Sequence, residues 1–301
     1  LPNSITTING GTSSTNLTVS TGSAGATVTG GSGNDVVVLG GGTNTVNSGN
    51  GSDTITLSTG NDTVNTGSGS DTVTASSGTN SITTGASGDQ ITLSGGSNTV
   101  NSGASNDQLT ITGGTNNIDT ESGNDQITIS GGNNTLTTGN NNDVISVSNG
   151  VNNISTGSNN DQITLTGGTN TVVTGNNNDT INVSGGNNDI DTDAGIDQVV
   201  LTGGTNDVNT GANDDTVTLS GGTETVDMGS GNDTVEAGAN LSTSDTVDGG
   251  DGTADAIEIT SALTDALTAR LSNFEILEIK GGGGVTHDIT GLTGLTSLKA
   301  S

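Results

Sequence analysis

Short runs of alternating apolar and polar residues recur along most of the chain. In DQITLTGGTNTVVTGNNN, residues 161–178, Ile163 and Leu165 alternate with polar neighbours and Val172 follows in the second half. Alternation with a period of two is typical of a strand with one buried face. Gly-Gly and Gly-x-x-Asn segments separate the apolar runs, and Gly and Asn best tolerate the positive φ angles of tight turns. The pattern predicts two short strands and two turns in every 18 residues.

One aspartate per unit marks the repeat. It recurs at every eighteenth position through twelve consecutive units: Asp35, Asp53, Asp71, Asp89, Asp107, Asp125, Asp143, Asp161, Asp179, Asp197, Asp215 and Asp233. Units that cannot bury their apolar face alone stack on one another, with equivalent strands about 4.8 Å apart. We therefore predict an all-β parallel β-solenoid with three inward aliphatic side chains in each 18-residue coil.

The regular repeat gives the domain organisation. It covers residues 29–238, whereas residues 1–28 are rich in Thr, Ser and Gly with a fading period, which predicts irregular solenoid coils. Residues 239–301 are predicted to form a small β-rich extension that caps or continues the solenoid. Within it, SALTDALTARLSNF (261–274) has the apolar spacing of a short helix behind a serine N-cap.

Composition narrows the possible partners. Only 26% of the residues are hydrophobic and Phe274 is the single aromatic, so the core must be thin and repeated. Low hydrophobicity with a formal charge of −29 is also typical of disordered chains, and the fixed period is what argues against disorder here. That charge repels nucleic acid and anionic membranes. No apolar run is long enough to cross a bilayer, and a cationic partner is expected.

Stacked coils would place neighbouring aspartates about 4.8 Å apart. Two carboxylates at that distance repel by about 3 to 4 kcal/mol at a dielectric of about 20. Carboxylates, asparagine amides and turn carbonyls are oxygen ligands that suit Ca²⁺ better than Mg²⁺. A single aspartate more often caps its own turn, but twelve in register favour several calcium ions. Without cysteine, and with His287 alone and expected to be exposed, nothing indicates zinc.

The aspartate lies in a recognisable motif. GSGNDTV (229–235), GSGNDVV (31–37) and GSGSDTV (67–73) resemble the nonapeptide G-G-x-G-x-D-x-U-x of the repeats-in-toxin (RTX) β-roll family, where U is apolar. The resemblance implies a β-roll in which Ca²⁺ lies between successive turns, held by turn carbonyls and the motif aspartate. That role would fall on the twelve aspartates above, and Asp251 in GGDGTAD would form a last calcium turn.

The other half of each unit departs from the family, because asparagine replaces the expected aspartate. A column of neutral amides can donate hydrogen bonds from coil to coil without an ion. We predict such a structural ladder for Asn44, Asn80, Asn98, Asn116, Asn134, Asn152, Asn170, Asn188 and Asn206. Asp62 and Glu224 place carboxylates in this column, and Asp62 in particular is expected to bind an isolated extra ion.

Catalysis is not expected, because periodicity explains the carboxylates and the chain has no cysteine, tyrosine or tryptophan. The resemblance implies a secreted, extracellular protein of Gram-negative bacteria that leaves the cell by type I secretion, with its export signal outside this chain. An S-layer subunit that assembles with itself or with other cell-surface components is the first interpretation, and an RTX adhesin segment is the alternative. FEILEIKG (274–281) resembles segments that follow RTX repeats in such proteins. Columns of outward-facing Thr and Ser side chains leave binding to ice or to a polysaccharide as a further alternative.

Overall fold

The computed structural model describes residues 6–281 and 286–300. The chain divides into two compact units, Leu1–Thr156 and Gly157–Ser301, called the N-terminal and C-terminal units here. In each unit, short strands alternate along the chain between two parallel sheets, called sheet A and sheet B. The prediction of an all-β parallel β-solenoid is confirmed.

The strands of the N-terminal unit are three to five residues long. Those of sheet A are β1 (Thr7–Asn9), β3 (Thr27–Gly31), β5 (Thr45–Gly49), β7 (Thr63–Asn65), β9 (Thr79–Thr83), β11 (Ser97–Asn101), β13 (Thr115–Asp119), β15 (Asn133–Thr137) and β17 (Val151–Ser155). Those of sheet B are β2 (Thr18–Ser20), β4 (Val36–Leu39), β6 (Thr54–Leu57), β8 (Thr72–Ala75), β10 (Gln90–Leu93), β12 (Gln108–Ile111), β14 (Gln126–Ile129) and β16 (Val144–Val147).

The C-terminal unit repeats this arrangement and adds one short helix, α1 (Asp265–Thr268). Its sheet A strands are β19 (Thr169–Val173), β21 (Asn187–Asp191), β23 (Thr205–Asn209), β25 (Thr223–Asp227), β27 (Thr246–Asp248) and β29 (Leu271–Ser272). Its sheet B strands are β18 (Gln162–Leu165), β20 (Thr180–Val183), β22 (Gln198–Leu201), β24 (Thr216–Leu219), β26 (Thr234–Gly238), β28 (Ala256–Ile259), β30 (Ile276–Ile279) and β31 (Ser297–Ala300).

Equal coil lengths keep the strands in register. In sheet B, Ile91 pairs with Leu109, and in sheet A, Val100 pairs with Ile118. The aliphatic side chains therefore stack in columns between the two sheets. In the coil that begins at Asp161, Ile163, Leu165 and Val172 are each at most 1% exposed. These columns are the thin, repeated core that the composition requires.

The predicted helix over 261–274 is reduced to one turn, α1. Thr264, not a serine, flanks it, and no side-chain cap hydrogen bond forms there. The leucines that suggested a longer helix are used differently, because Leu263 is buried before α1 and Leu271 begins β29. No helix in the described part of the chain is long and apolar enough to cross a membrane.

The end of the chain continues the sheet rather than forming a separate layer. Strand β30 pairs in parallel with β28 and with β31. His287 was expected to be exposed, but it is half-buried beside α1, and its Nδ1 accepts a hydrogen bond from the backbone N–H of Leu263 at 3.4 Å.

Candidate metal centre

The repeated aspartates lie in the turn that leads from each sheet A strand to the next sheet B strand, called the aspartate edge here. Each side chain is at most 1% exposed. Its Oδ1 accepts the backbone N–H of the aspartate one coil earlier, at 2.7 Å from Asp35 to Asp53 and 2.8 Å from Asp107 to Asp125. The same bond joins Asp179 to Asp197 at 2.7 Å. Within each unit the period thus gives a continuous buried column of carboxylates.

The second oxygen of these carboxylates is the exceptional feature. It is buried, yet it has no hydrogen-bond partner in Asp35, Asp53, Asp71, Asp89, Asp107, Asp125, Asp179, Asp197, Asp215 and Asp233. Buried polar atoms are nearly always paired, and a buried charge needs a counter-charge or a metal. The column is therefore incomplete without a positive partner.

Backbone oxygens of the turns converge on the carboxylates. A Cβ added at Gly195 would lie 2.1 Å from the carbonyl oxygen of Asn177, one coil earlier, and 2.7 Å from Oδ1 of Asp197. A side chain there would fill the space in which these oxygens meet. At the equivalent position of other coils, Ser87 and Asn177 have φ angles of 85° and 79°, a region that favours glycine.

The donor set fits calcium. Among the described residues, no group of three or more His, Cys, Asp or Glu side chains converges. Each site would therefore combine about one carboxylate per coil with turn carbonyls. Ca²⁺ accepts six to eight such oxygens in flexible geometry, whereas Mg²⁺ demands a near-ideal octahedron. The aspartate edge supplies the carboxylates and the turns supply the neutral oxygens.

Sequence reasoning missed a column of buried hydroxyls beside the aspartates. A threonine or serine five residues before the aspartate is fully buried at Ser48, Thr66, Thr84, Ser102, Thr120, Thr138, Thr156, Thr174, Thr192 and Thr210. The Thr66 hydroxyl donates to the carbonyl of Thr84 at 3.0 Å, which ties successive coils together. The first repeat has Gly30 here, and a Cβ on it would lie 2.1 Å from Asp35 Oδ2. The recurrence of this threonine or serine every 18 residues was a usable signal, but threonine in a strand usually indicates an exposed position.

Burial determines the protonation of the column. Desolvation raises the pKa of Asp71 and Asp233 to about 6 and that of Asp107, Asp179 and Asp215 to about 7. The hydrogen bond that the Asp89 backbone N–H donates to Asp107 opposes the shift, and neighbouring carboxylates add to it. Without a metal ion, burial thus keeps these groups in the neutral acid form up to about pH 6 to 7.

These raised pKa values predict that acid can substitute for calcium. Because the pKa values of these carboxyl groups in the folded protein lie above the ordinary 3.8, their protonation stabilises the calcium-free fold. This stabilisation is fully present below about pH 4 and is lost as the pH rises to about 7. Calcium-depleted protein should therefore show more β-structure and a higher unfolding temperature at about pH 4.5 than at about pH 8. Circular dichroism with thermal melts across this range is the measurement. Stability that rises with pH in calcium-free buffer would contradict the assignment.

The opposite turn, from sheet B to sheet A, is called the asparagine edge here. In the N-terminal unit, Nδ2 of Asn98 donates to Oδ1 of Asn116 at 2.7 Å and to the carbonyl of Gly95 at 3.1 Å. In the C-terminal unit, Asn188 makes the equivalent bond to Asn206 at 2.7 Å. These are the coil-to-coil hydrogen bonds that the amide pattern predicts, and they need no ion.

The final turn differs from the prediction at Asp251. That residue is exposed and pairs as a bridge with Ser230, so it lies outside the aspartate column. Asp255 occupies the column instead, with 0% exposure, and its Oδ1 accepts the N–H of Asp233 at 2.8 Å. The coil after Asp233 is longer, 22 residues from aspartate to aspartate, because the chain makes an extra loop before β27. This insertion moves the column from the GGDG turn to the following aspartate.

Two parallel sheets, a constant coil length and a buried carboxylate column with converging turn oxygens define a metal-binding parallel β-solenoid. The family model for the RTX calcium-binding nonapeptide repeat (4 copies) matches overlapping stretches at residues 21–55, 40–73, 47–82, 56–91, 74–109, 93–127, 110–145, 128–163, 164–199 and 201–235. The chain therefore belongs to the RTX calcium-binding repeat family. No curated protein and no solved structure gives a significant match.

Proposed function

We propose that this chain is a structural, calcium-stabilised segment of a secreted bacterial cell-surface protein. We further propose that this protein is an S-layer subunit. The observation that carries the proposal is the column of buried carboxylate oxygens without partners. A fold that needs several calcium ions forms where the cation is at millimolar concentration, because extracellular calcium modules bind at about 10⁻⁴ to 10⁻³ M. It stays unfolded where calcium is scarce.

The regularity of the coils supports a structural role over a catalytic one. The β-roll of RTX repeats is a structural calcium-binding fold, and the carboxylates of the aspartate edge from Asp53 to Asp215 each follow the same kind of buried hydroxyl by five residues. A catalytic site usually needs groups whose environments differ. The acidic chain, with a formal charge of −29, also suits a surface bridged by divalent cations.

An S-layer role predicts calcium-dependent self-assembly. Raising Ca²⁺ from chelated to millimolar levels should convert the protein into ordered sheets, seen by light scattering and negative-stain electron microscopy. Calcium neutralises the carboxylates that would otherwise keep neighbouring molecules apart. A protein that folds with calcium but stays monomeric at high concentration would contradict the S-layer role and support the adhesin segment. Mg²⁺ at equal concentration is the control.

A second candidate is binding to ice or to a polysaccharide through sheet B of the N-terminal unit. Outward hydroxyls lie in register there, with Thr92 opposite Thr74 and Thr110, and Thr128 opposite Ser146. A regular hydroxyl array suits a repeating polar lattice. In the C-terminal unit, Asn182 and Val200 interrupt the array. Ice-crystal shaping by the calcium-loaded monomer would favour this candidate.

A further inference from the structure

The chain contains three Asn-Gly pairs, which begin at Asn9, Asn50 and Asn149. In such a pair the backbone nitrogen of the glycine can attack the side-chain amide carbon of the asparagine, because glycine has no side chain to shield that nitrogen. The attack needs a backbone N–H that is not held elsewhere and an amide group close to it. The hydrogen bonds around the three pairs therefore determine which of them can react.

In the first pair both reacting groups are held by other partners. The N–H of Gly10 donates to the carbonyl of Thr29 in the next coil at 2.7 Å. The Asn9 side chain faces a different donor, because its Oδ1 accepts the N–H of Gly11 at 2.8 Å. Attack at Asn9 therefore requires two hydrogen bonds to break, one of them between coils.

The second pair is held even more firmly by the neighbouring coil. The N–H of Gly51 donates to the carbonyl of Ser68 at 2.9 Å, and the hydroxyl of Ser68 donates to Oδ1 of Asn50 at 2.7 Å. Asn50 and Ser68 also form a parallel bridge. Attack at Asn50 thus requires two coils to separate locally, which folded structure opposes.

The third pair has a free path for the reaction. Asn149 lies on the asparagine edge, at the position that Gly131 occupies one coil earlier, and its side chain is exposed to water. Its Oδ1 accepts the N–H of Gly150 at 2.8 Å. Within the described residues this N–H has no other acceptor. The attacking nitrogen therefore already lies against the amide group whose carbon it would attack.

The turn also requires glycine at position 150. Gly150 has a φ angle of 102°, and a Cβ on it would lie 2.5 Å from the carbonyl oxygen of Gly132, one coil earlier. A residue with a side chain would be strained here. In the other coils from Asp35 to Asp215, the residue before this glycine is Gly, Ser or Thr, so only the coil that begins at Asp143 has the reactive pair.

We propose that Asn149 is a site of spontaneous deamidation in the folded protein. The Gly150 nitrogen loses its proton to solvent and bonds to Cγ of Asn149. The bond between Cγ and Nδ2 breaks, and Nδ2 takes up a proton and leaves as ammonia. One water molecule then opens the succinimide ring at either carbonyl, which leaves aspartate or isoaspartate at position 149. Water is the only co-reactant, and no oxidant or reductant is needed.

Isoaspartate at this position would disturb the amide ladder, the column of asparagine side chains that bond from coil to coil on the asparagine edge. Nδ2 of Asn134 donates to Oδ1 of Asn152 at 2.8 Å, and Nδ2 of Asn152 donates to the carbonyl of Asn149 at 3.2 Å. In isoaspartate the main chain runs through the former side chain, so this carbonyl becomes part of a charged branch. The turn also gains a methylene group two residues before β17 begins at Val151. Modified protein should therefore unfold at a lower temperature.

Peptide mapping of the full chain, incubated with Ca²⁺ in mildly alkaline buffer, tests the proposal. Cleavage before aspartate releases residues 143–160 as one peptide, in which fragmentation locates the modified residue. Deamidation at Asn149 should be faster than at Asn9 and Asn50 by about tenfold or more. Part of the product should be isoaspartate, which an isoaspartyl methyltransferase labels. Equal rates at the three pairs, or a product at position 149 without isoaspartate, would overturn the proposal.

Two controls separate the effect of the turn from that of the sequence. In denaturant the three pairs should react at similar rates, and a preference for Asn149 that persists there would contradict the role of the turn. Asn149→Gly restores the Gly-Gly pair of the preceding coil and should remove the reaction. The unfolding temperature of this variant should stay constant during incubation, whereas that of the unmodified sequence should fall. An equal fall in both would show that deamidation at Asn149 does not disturb the ladder.

Discussion

Calcium-depleted protein at about pH 7.5 is expected to lose most of its β-structure and to regain it cooperatively when Ca²⁺ is added. The aspartate edge would then carry ionised carboxylates about 4.8 Å apart, each repelling the next. An ion present at about 100 times its dissociation constant stabilises the fold by about 2.7 kcal/mol. Four such ions would supply about 11 kcal/mol, comparable with the whole stability of a typical domain. Far-UV circular dichroism against free Ca²⁺ measures the transition.

Two controls show whether Ca²⁺ is coordinated by the protein or only screens the repulsion between the carboxylates. Mg²⁺ has the same charge but a stricter geometry, so it should be much less effective. Sodium chloride at about 1 M shortens the Debye length to about 3 Å, and should restore little structure if coordination is required. A fold that survives chelation at neutral pH would overturn the ion column. Stability would then come from the aliphatic columns and the amide ladder.

The repeat made most of this fold predictable. A constant 18-residue spacing fixes which residues stack, so the buried columns of Ile163, Leu165 and Val172 followed from one coil. The same spacing brought the aspartates into one turn and the asparagines into the other. Where every coil has the same length, the period and the residue types are enough to predict which residues stack, because equivalent residues then pair in every coil.

Prediction failed where that regularity ended. After Asp233, three aspartates (Asp245, Asp251 and Asp255) could have continued the column, and the choice depends on the path of the extra loop. Asp245 lies on the asparagine edge and Asp255 on the aspartate edge. The buried hydroxyl column was missed for another reason. Its members stand two residues after the inward aliphatic of each sheet A strand, as Thr66 does after Val64, so the alternation of the strand buries them although they are polar.

Comparison of the two edges also predicts that the aspartates of the aspartate edge can be replaced by asparagines, as on the asparagine edge. A triple substitution, Asp89→Asn, Asp107→Asn and Asp125→Asn, should bind fewer ions and be more stable in chelator than the unmodified protein. Each asparagine Oδ1 can accept the N–H that the aspartate now accepts, at 2.7 to 2.8 Å. Its Nδ2 replaces the unpaired Oδ2 and can donate to a turn carbonyl, as Asn98 does to Gly95 at 3.1 Å.

The reciprocal variant, Asn98→Asp, Asn116→Asp and Asn134→Asp, serves as the matched control. It places three carboxylates in the amide ladder, removes the donors between coils and should lower the calcium-free unfolding temperature while raising the calcium requirement. Thermal melts in chelator and in millimolar Ca²⁺ give both effects. For the Asp→Asn triple, loss of about three ions corresponds to about 8 kcal/mol less calcium stabilisation at about 100 times the dissociation constant. If both triples change stability in the same direction, residue chemistry at the turns does not determine ion dependence, and the backbone of the turns does.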